Sequence, residues 1–333
     1  MGLLSLASTM VRTGLATSFR RLRRGPLRPG WSFQYEATVA FMKATNERIV
    51  QLDAPAQRAE TEAMAMSTPA LERVRREPVE AGGVPSEWFT PPEVKNEGVV
   101  VYLHGGSYVY GSTRTHGDLI ARLAEGTGLR VLAPNYRLAP EHPFPAQVED
   151  AVAVYRWLLS TGVKPEQVVL SGDSAGGGLA VATMLSLREQ GQPLPAGGVL
   201  LAPWMDIECS GESMLSNARY DWGDKPMLLH WAKWFIGQGD PRHPLASPIH
   251  ADLRGLPPLF LHVGSAELQH DDVTRFAQKA RAAGVRAELV VWPEMVHNFQ
   301  VFGERFPESV RGTARLIQDI HSVLRREVSA PAR

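Results

Sequence analysis

Residues 167–180 read QVVLSGDSAGGGLA, and the fold turns on how this stretch is read. Val168, Val169 and Leu170 form a short apolar run of the kind that makes a buried parallel strand. Gly172-Asp173-Ser174-Ala175-Gly176 then matches G-x-S-x-G, and a small-residue helical stretch follows. Such spacing suits a tight strand-to-helix turn that lifts the serine into a strained, exposed position. The glycines two residues to either side keep neighbouring backbones from colliding. Glycine and serine are common in ordinary turns, so it is the flanking strand and helix that give the motif its meaning.

Working outward, apolar runs recur at Val99–Leu103, Val131–Pro134, Val168–Leu170, Val199–Ala202, Leu259–Val263 and Leu289–Trp292. Helical patterns separate them at His116–Glu125, Ala146–Leu159, Ala175–Gln190, Asp271–Ala283 and Ser309–Arg326. This alternation predicts an α/β fold, a mostly parallel sheet flanked by helices on both sides. Two earlier strands, Val74 to Val84 and Glu87 to Thr90 around Ala81-Gly82-Gly83, bring the expected total to eight. Before them, Trp31 to Met66 has a helical pattern interrupted at Pro55. After the sixth strand, residues 204–247 break the alternation and hold Trp204, Trp222, Trp231 and Trp234. So long a connection predicts a helical lid over the carboxyl ends of the strands, its aromatics also serving the core.

Composition narrows the function. The chain has 333 residues, 44% hydrophobic and 21% charged, enough for a large core. Thirty-five basic and thirty-five acidic residues balance, which removes a global electrostatic case for nucleic acid. A single cysteine, Cys209, excludes an internal disulfide, and neither C-x-x-C nor H-E-x-x-H occurs. No metal or cofactor is expected, and the neutral, cysteine-poor chain reads as cytoplasmic. No stretch approaches the apolar length of a membrane span. Residues 1–30 are distinctive, with six arginines, no acid, and Leu3, Leu6, Met10, Val11, Leu15, Phe19 and Leu22 at helical spacing. Three readings compete for this segment. A helix packed on the body with a solvated basic face suits it best. A transit peptide or a peripheral membrane helix over residues 1–24 is the alternative, and a secretory signal fits poorly. Oligomeric state has no signature in the sequence.

A serine hydroxyl needs a base to take its proton, an acid to orient that base, and N–H groups aimed at the developing oxyanion. His104-Gly105-Gly106-Ser107 follows the Val99–Leu103 strand, where consecutive glycines can turn N–H groups into a cavity; Gly105, Gly106 and Ala175 are the candidate donors. His104 reads as a residue that holds this loop, not as a proton shuttle. His297, just after the last strand, is the candidate base. Glu267, on the loop after the Leu259–Val263 strand, is the candidate acid, with Asp271 as the alternative. Asp271 and Asp272 open the next helix, where carboxylates commonly cap N–H groups. The order Ser174, Glu267, His297 is that of α/β-hydrolases.

With these residues in place, the chain resembles the hormone-sensitive-lipase-like branch of the α/β-hydrolases. HGGSYVYGS at 104–112, NYRLAPEHPFPA at 135–146 and GDSAGGGLA at 172–180 are similar to three family hallmarks. LPPLFLHVGSAEL at 256–268 and PEMVHNF at 293–299 are similar to its acid and base loops. The resemblance implies one α/β-hydrolase domain over residues 1–333, with an eight-stranded core at about 70–204 and 248–330. It also implies a cap from about residues 1–66 and about 205–247, the latter inserted after strand six. The implied activity is a serine carboxylesterase acting on small-to-medium acyl esters without a cofactor. A lactone hydrolase or an amide or acetyl-ester deacylase would use the same triad, and a non-catalytic small-molecule binder is the alternative of a different class. Two departures stand out: Ser107 replaces the usual third glycine of the oxyanion loop, and Glu267 replaces the more frequent aspartate.

Overall fold

The structure is a computed structural model that describes residues 3–95 and 97–325, with side chains from Leu6 onward. Helices α1 (Leu3–Arg24), α2 (Phe33–Ile49), α3 (Ala54–Ala63) and the short α4 (Pro69–Arg73) precede the first strand. β1 (Arg75–Ala81) and β2 (Val84–Thr90) then form an antiparallel hairpin. Its tip is Gly82-Gly83, with φ of 64° and 84°; two consecutive positive values are what a two-residue turn of matching twist demands.

Strands and helices alternate from there: β3 (Val99–Leu103), α5 (Gly117–Thr127), β4 (Arg130–Pro134), α6 (Ala146–Ser160), β5 (Val168–Asp173), α7 (Ala175–Glu189) and β6 (Gly197–Leu201). The long connection holds α8 (Ser213–Ser216) and α9 (Lys225–Ile236), and is followed by β7 (Leu259–Gly264), α10 (His270–Ala282), β8 (Ala287–Trp292) and α11 (Pro307–Leu324). Sheet order is β1-β2-β4-β3-β5-β6-β7-β8. β2 meets both neighbours antiparallel, and every other pairing is parallel. Eight strands and a mostly parallel sheet match the expectation. The expected end of the last helix, Arg326, and the core margin at 330 lie outside the described residues.

The core explains why the central strands read as unbroken apolar runs. Val99, Val101 and Leu103 of β3 face α6, α7 and α10, whereas Val100 and Tyr102 face α5 and α11. Both faces are covered, so both sets of alternating side chains must be apolar. At the carboxyl ends of β3, β5, β7 and β8 the chain leaves the sheet in four loops, which bring residues distant in sequence to one edge.

Helix α1 departs from the expectation. It packs on α2, but with its sides reversed. Thr13 and Thr17 are buried at 9% and 5% exposure, while Val11, Leu15, Phe19 and Leu22 stand out at 62%, 67%, 58% and 87%. The threonine at 13 can be buried because its hydroxyl donates back to the carbonyls of Thr9 and Met10. Attachment comes instead from charge: Arg20 and Arg21 both pair with the buried carboxylate of Glu36 on α2. Among the described residues no helix is long and apolar enough to cross a membrane.

Candidate active site

Ser174 sits at the tip of the turn between β5 and α7 with φ 52° and ψ −120°, a conformation that L-residues rarely adopt. The strain is held by bonds on both sides: its N–H donates to the Leu201 carbonyl, and its own carbonyl accepts from Gly178 and Trp204. Gly176 has no room for a side chain, because a Cβ would run into the carbonyls of Leu103 and His104. The turn is thus built against the end of β3, where the glycine loop begins.

That loop is braced from below. The His104 ring stacks on Tyr136 at 4.3 Å, and its Nδ1 donates to the Gly105 carbonyl at 2.7 Å. Burial, with His116 nearby, pushes the His104 imidazole down to about 3, so it is neutral and serves the loop as a fixed donor. Tyr136 Oη also donates to the His104 carbonyl. Arg137 pairs with Asp150, and Glu141 with Arg58, so the 135–146 hallmark is a scaffold beneath the site.

The expected oxyanion donors need one correction. The Gly105 N–H donates to Asp173 Oδ1 at 2.9 Å and is not free. The N–H groups of Gly106, Ser107 and Ala175 have no acceptor among the described residues. Gly106 and Ser107 line the same cavity as Ser174, and Ser107 has φ 53°. Sequence reasoning passed over Ser107 because it treated the missing glycine as a loss, although a backbone N–H is available at any residue but proline.

Asp173 is a buried hub. Beyond Gly105, its carboxylate accepts from Tyr102 Oη at 2.7 Å and Asn298 Nδ2 at 2.7 Å, and His116 Nε2 lies 3.4 Å away. Burial works against its charge, but His116 and these donors outweigh it and hold Asp173 below the ordinary aspartate range. It therefore ties the glycine loop, the serine turn and the segment after β8 into one unit.

His297 lines the cavity with Ser174. Its Nδ1 lies 3.8 Å from Glu267 Oε1, and neither atom has another partner among the described residues. The separation exceeds a hydrogen bond, but each buried atom is the other's available mate, and such contacts tighten when substrate is bound. Glu267 is otherwise anchored through Oε2, which accepts the Gly264 N–H. Burial raises the Glu267 carboxyl above the usual range. It also opposes charge on His297, but the carboxylates of Glu267, Asp221 and Asp173 prevail and raise the imidazole above its ordinary value. Asp271 is elsewhere: it accepts from the Ser213 N–H and faces His270, partly in solvent.

A residue that sequence reasoning missed stands behind the histidine. Asp221, fully buried, accepts the N–H groups of Trp222 and His297 through Oδ1 and of Leu268 through Oδ2. Trp222 Nε1 donates to the His297 carbonyl at 2.8 Å. Asn217 reaches the carbonyls of Ser265 and Glu267. The 213–222 segment therefore grips the acid and base loops together. Its only sequence signal was an acid set between Tyr220 and Trp222, within a run read as lid.

The cavity measures about 210 Å³. Its walls come from Met42 of α2, from Thr61 of α3 and Met64 just after it, and from the long connection through Trp222, Met227, Leu228 and Trp231. Trp231 Nε1 donates to Gln57 Oε1, joining the two walls. Trp204 and Phe235 are buried around Tyr108, so the aromatics of this connection serve core and cavity alike. Elsewhere, Asp206, Glu208 and His250 place ligand-type atoms within 4.8 Å of one another. Asp206 is already engaged by the N–H groups of Glu208 and Ser210 and by Ser210 Oγ, and Glu208 pairs with Arg242. Burial pushes the Cys209 thiol up to about 12, which leaves it unreactive.

Comparison with known proteins agrees with this geometry. A profile of the alpha/beta hydrolase fold matches residues 100–301. An acetyl-hydrolase of Streptomyces hygroscopicus is 46% identical over 70% of this chain and 78% of its own length. An esterase of Acinetobacter venetianus is 34% identical over 87% of this chain and 96% of its own. The crystal structure of an esterase from the bacterial hormone-sensitive lipase family superposes with a TM-score of 0.80 at 42% identity, covering 85% of this chain and 98% of the other. The chain belongs to the alpha/beta hydrolases, in their hormone-sensitive-lipase branch.

Proposed function

We propose that this protein is a serine carboxylesterase in which Ser174 is the nucleophile, His297 the general base and Glu267 the orienting acid. The observation that carries the reading is the shared cavity. A strained serine, a buried histidine facing a carboxylate, and the N–H groups of Gly106 and Ser107, unpaired among the described residues, meet at one apolar space, with the N–H of Ala175 beside the serine.

Ser174 Oγ attacks the ester carbonyl as His297 takes its proton, and Glu267 stabilises the imidazolium that results. The carbonyl oxygen becomes an oxyanion, held by the N–H groups of Gly106, Ser107 and Ala175. His297 then gives its proton to the departing alkoxide, releasing the alcohol and leaving an acyl-enzyme. Water, deprotonated by the same histidine, attacks the acyl carbon; the acid leaves and the serine regains its proton. Asp221 and Asp173 hold the base and the glycine loop in place through the backbone N–H groups of His297 and Gly105.

The substrates are small-to-medium acyl esters, with short acyl groups favoured. A cavity of about 210 Å³ is small for a ligand site, and its methionines and tryptophans suit an apolar acyl chain. The likeness to an acetyl-hydrolase points the same way. Residues from about 1–66 and 205–247 form the cap over a core at about 70–204 and 248–330; within them the cavity walls come from residues 42–65 and 221–231, and α1 lines none of it. The test is the Ser174→Ala variant with p-nitrophenyl butyrate, together with mass spectrometry for a serine-bound acyl group. Undiminished turnover in folded protein, or an acyl group at another residue, would refute the reading.

A further inference from the structure

We propose that α1 is a membrane-surface helix that docks the enzyme on anionic lipid. Amphipathic helices of folded proteins normally turn their apolar side inward, because burial of that side is what fastens them. α1 does the opposite. Val11, Leu15, Phe19 and Leu22, spaced four, four and three residues apart, form one exposed stripe, while Thr13 and Thr17 face the protein. None of the four adds to the buried clusters of the body. Such a row of large apolar side chains facing water marks an interaction surface.

Charge identifies the partner. Six of the thirty-five basic residues and none of the thirty-five acidic ones fall within residues 1–30, in a chain with no net charge. Arg20 and Arg21 are used internally on Glu36. Arg12, Arg23 and Arg24 are exposed and pair with no described carboxylate. Arg23 lies over the Phe19 ring at 4.1 Å, so a cation borders the stripe directly. An apolar strip flanked by arginines suits the boundary between acyl chains and anionic headgroups, where the strip enters the hydrocarbon margin and the guanidinium groups meet phosphate. A second copy of this chain fits worse, since pairing two stripes would bring the unpaired arginines of both copies together without a counter-charge.

This inference is independent of the esterase reading. The experiment is co-sedimentation of the full chain with lipid vesicles, either wholly zwitterionic or about one-quarter anionic lipid. The native protein is expected to pellet with the anionic vesicles and to be released by high salt. The L15S/F19S/L22S variant should bind at least about tenfold less, and R12Q/R23Q/R24Q should lose its preference for anionic lipid. Both variants should hydrolyse soluble p-nitrophenyl butyrate at the native rate, because none of these residues lines the cavity. Three results would each overturn the proposal: no binding to anionic vesicles, unchanged binding by the serine variant, or a native dimer in sedimentation velocity that the serine variant turns into a monomer.

Discussion

Helices α7 and α1 invert each other. In α7 every residue from Ala175 to Leu187 is buried, and the helix has no polar face because sheet and neighbouring helices enclose it. In α1 the apolar residues are present at good helical spacing, yet the body lies against the threonines. Apolar spacing therefore reports which side of a helix avoids water, and the surrounding chain decides whether protein or something else provides the shelter.

The sharpest way to test that contrast begins at the first residues of α7. Ser174→Ala should lower kcat by a factor on the order of 10⁶ with the fold intact, measured with a soluble aryl ester and circular dichroism. Glu267→Gln should cost roughly 10⁴-fold, while Asp271→Asn should change little; if the second variant were the inactive one, the acid would be misassigned. Within α7, Leu179→Ala should destabilise by about 3–5 kcal/mol in urea unfolding, since Leu179 is fully buried.

Next in size is Asp221→Asn, expected to reduce kcat/KM by roughly 10–100-fold through loss of the charge behind His297. Its pH profile makes the test specific. As the proposed base His297 acts when neutral, and the surrounding carboxylates raise it above its ordinary value, so native activity should fall on the acid side at a pH above that value. Removing the Asp221 charge should move this acid limb downward; an unmoved limb would show that Asp221 only supports the loop. Smallest of all is Leu15→Ala in α1, expected within about 0.5 kcal/mol of native stability. A loss comparable to that at Leu179 would erase the distinction between the two helices.

Much of the molecule was legible in sequence because the central strands are enclosed on both faces. Runs such as Val99–Leu103 and Leu259–Val263 have no other reading that fits short buried segments between helices. Ser174, Glu267 and His297 were legible as candidates because each lies at the end of a strand, where chain order fixes location. Asp221 was not, since its role depends on where an irregular connection folds back, and no periodicity encodes that. That the Gly105 N–H is engaged was hidden for a different reason. Which N–H is free depends on the Asp173 carboxylate, 68 positions later in the chain. The inversion of α1 was hidden because amphipathic spacing is symmetric: it marks a face and leaves open what covers it.

The grip of residues 213–222 on the acid and base loops divides the long connection into unequal parts. Asn217, Asp221 and Trp222 bond to the backbone of Ser265, Glu267, Leu268 and His297, so they travel with the chemistry. Met227, Leu228 and Trp231 present side chains to the cavity from α9. A chimera that swaps α9 alone exchanges one part of the cavity wall and keeps the proposed catalytic frame, whereas a swap of the whole connection exchanges both. Repertoire can diversify in this scaffold one helix at a time.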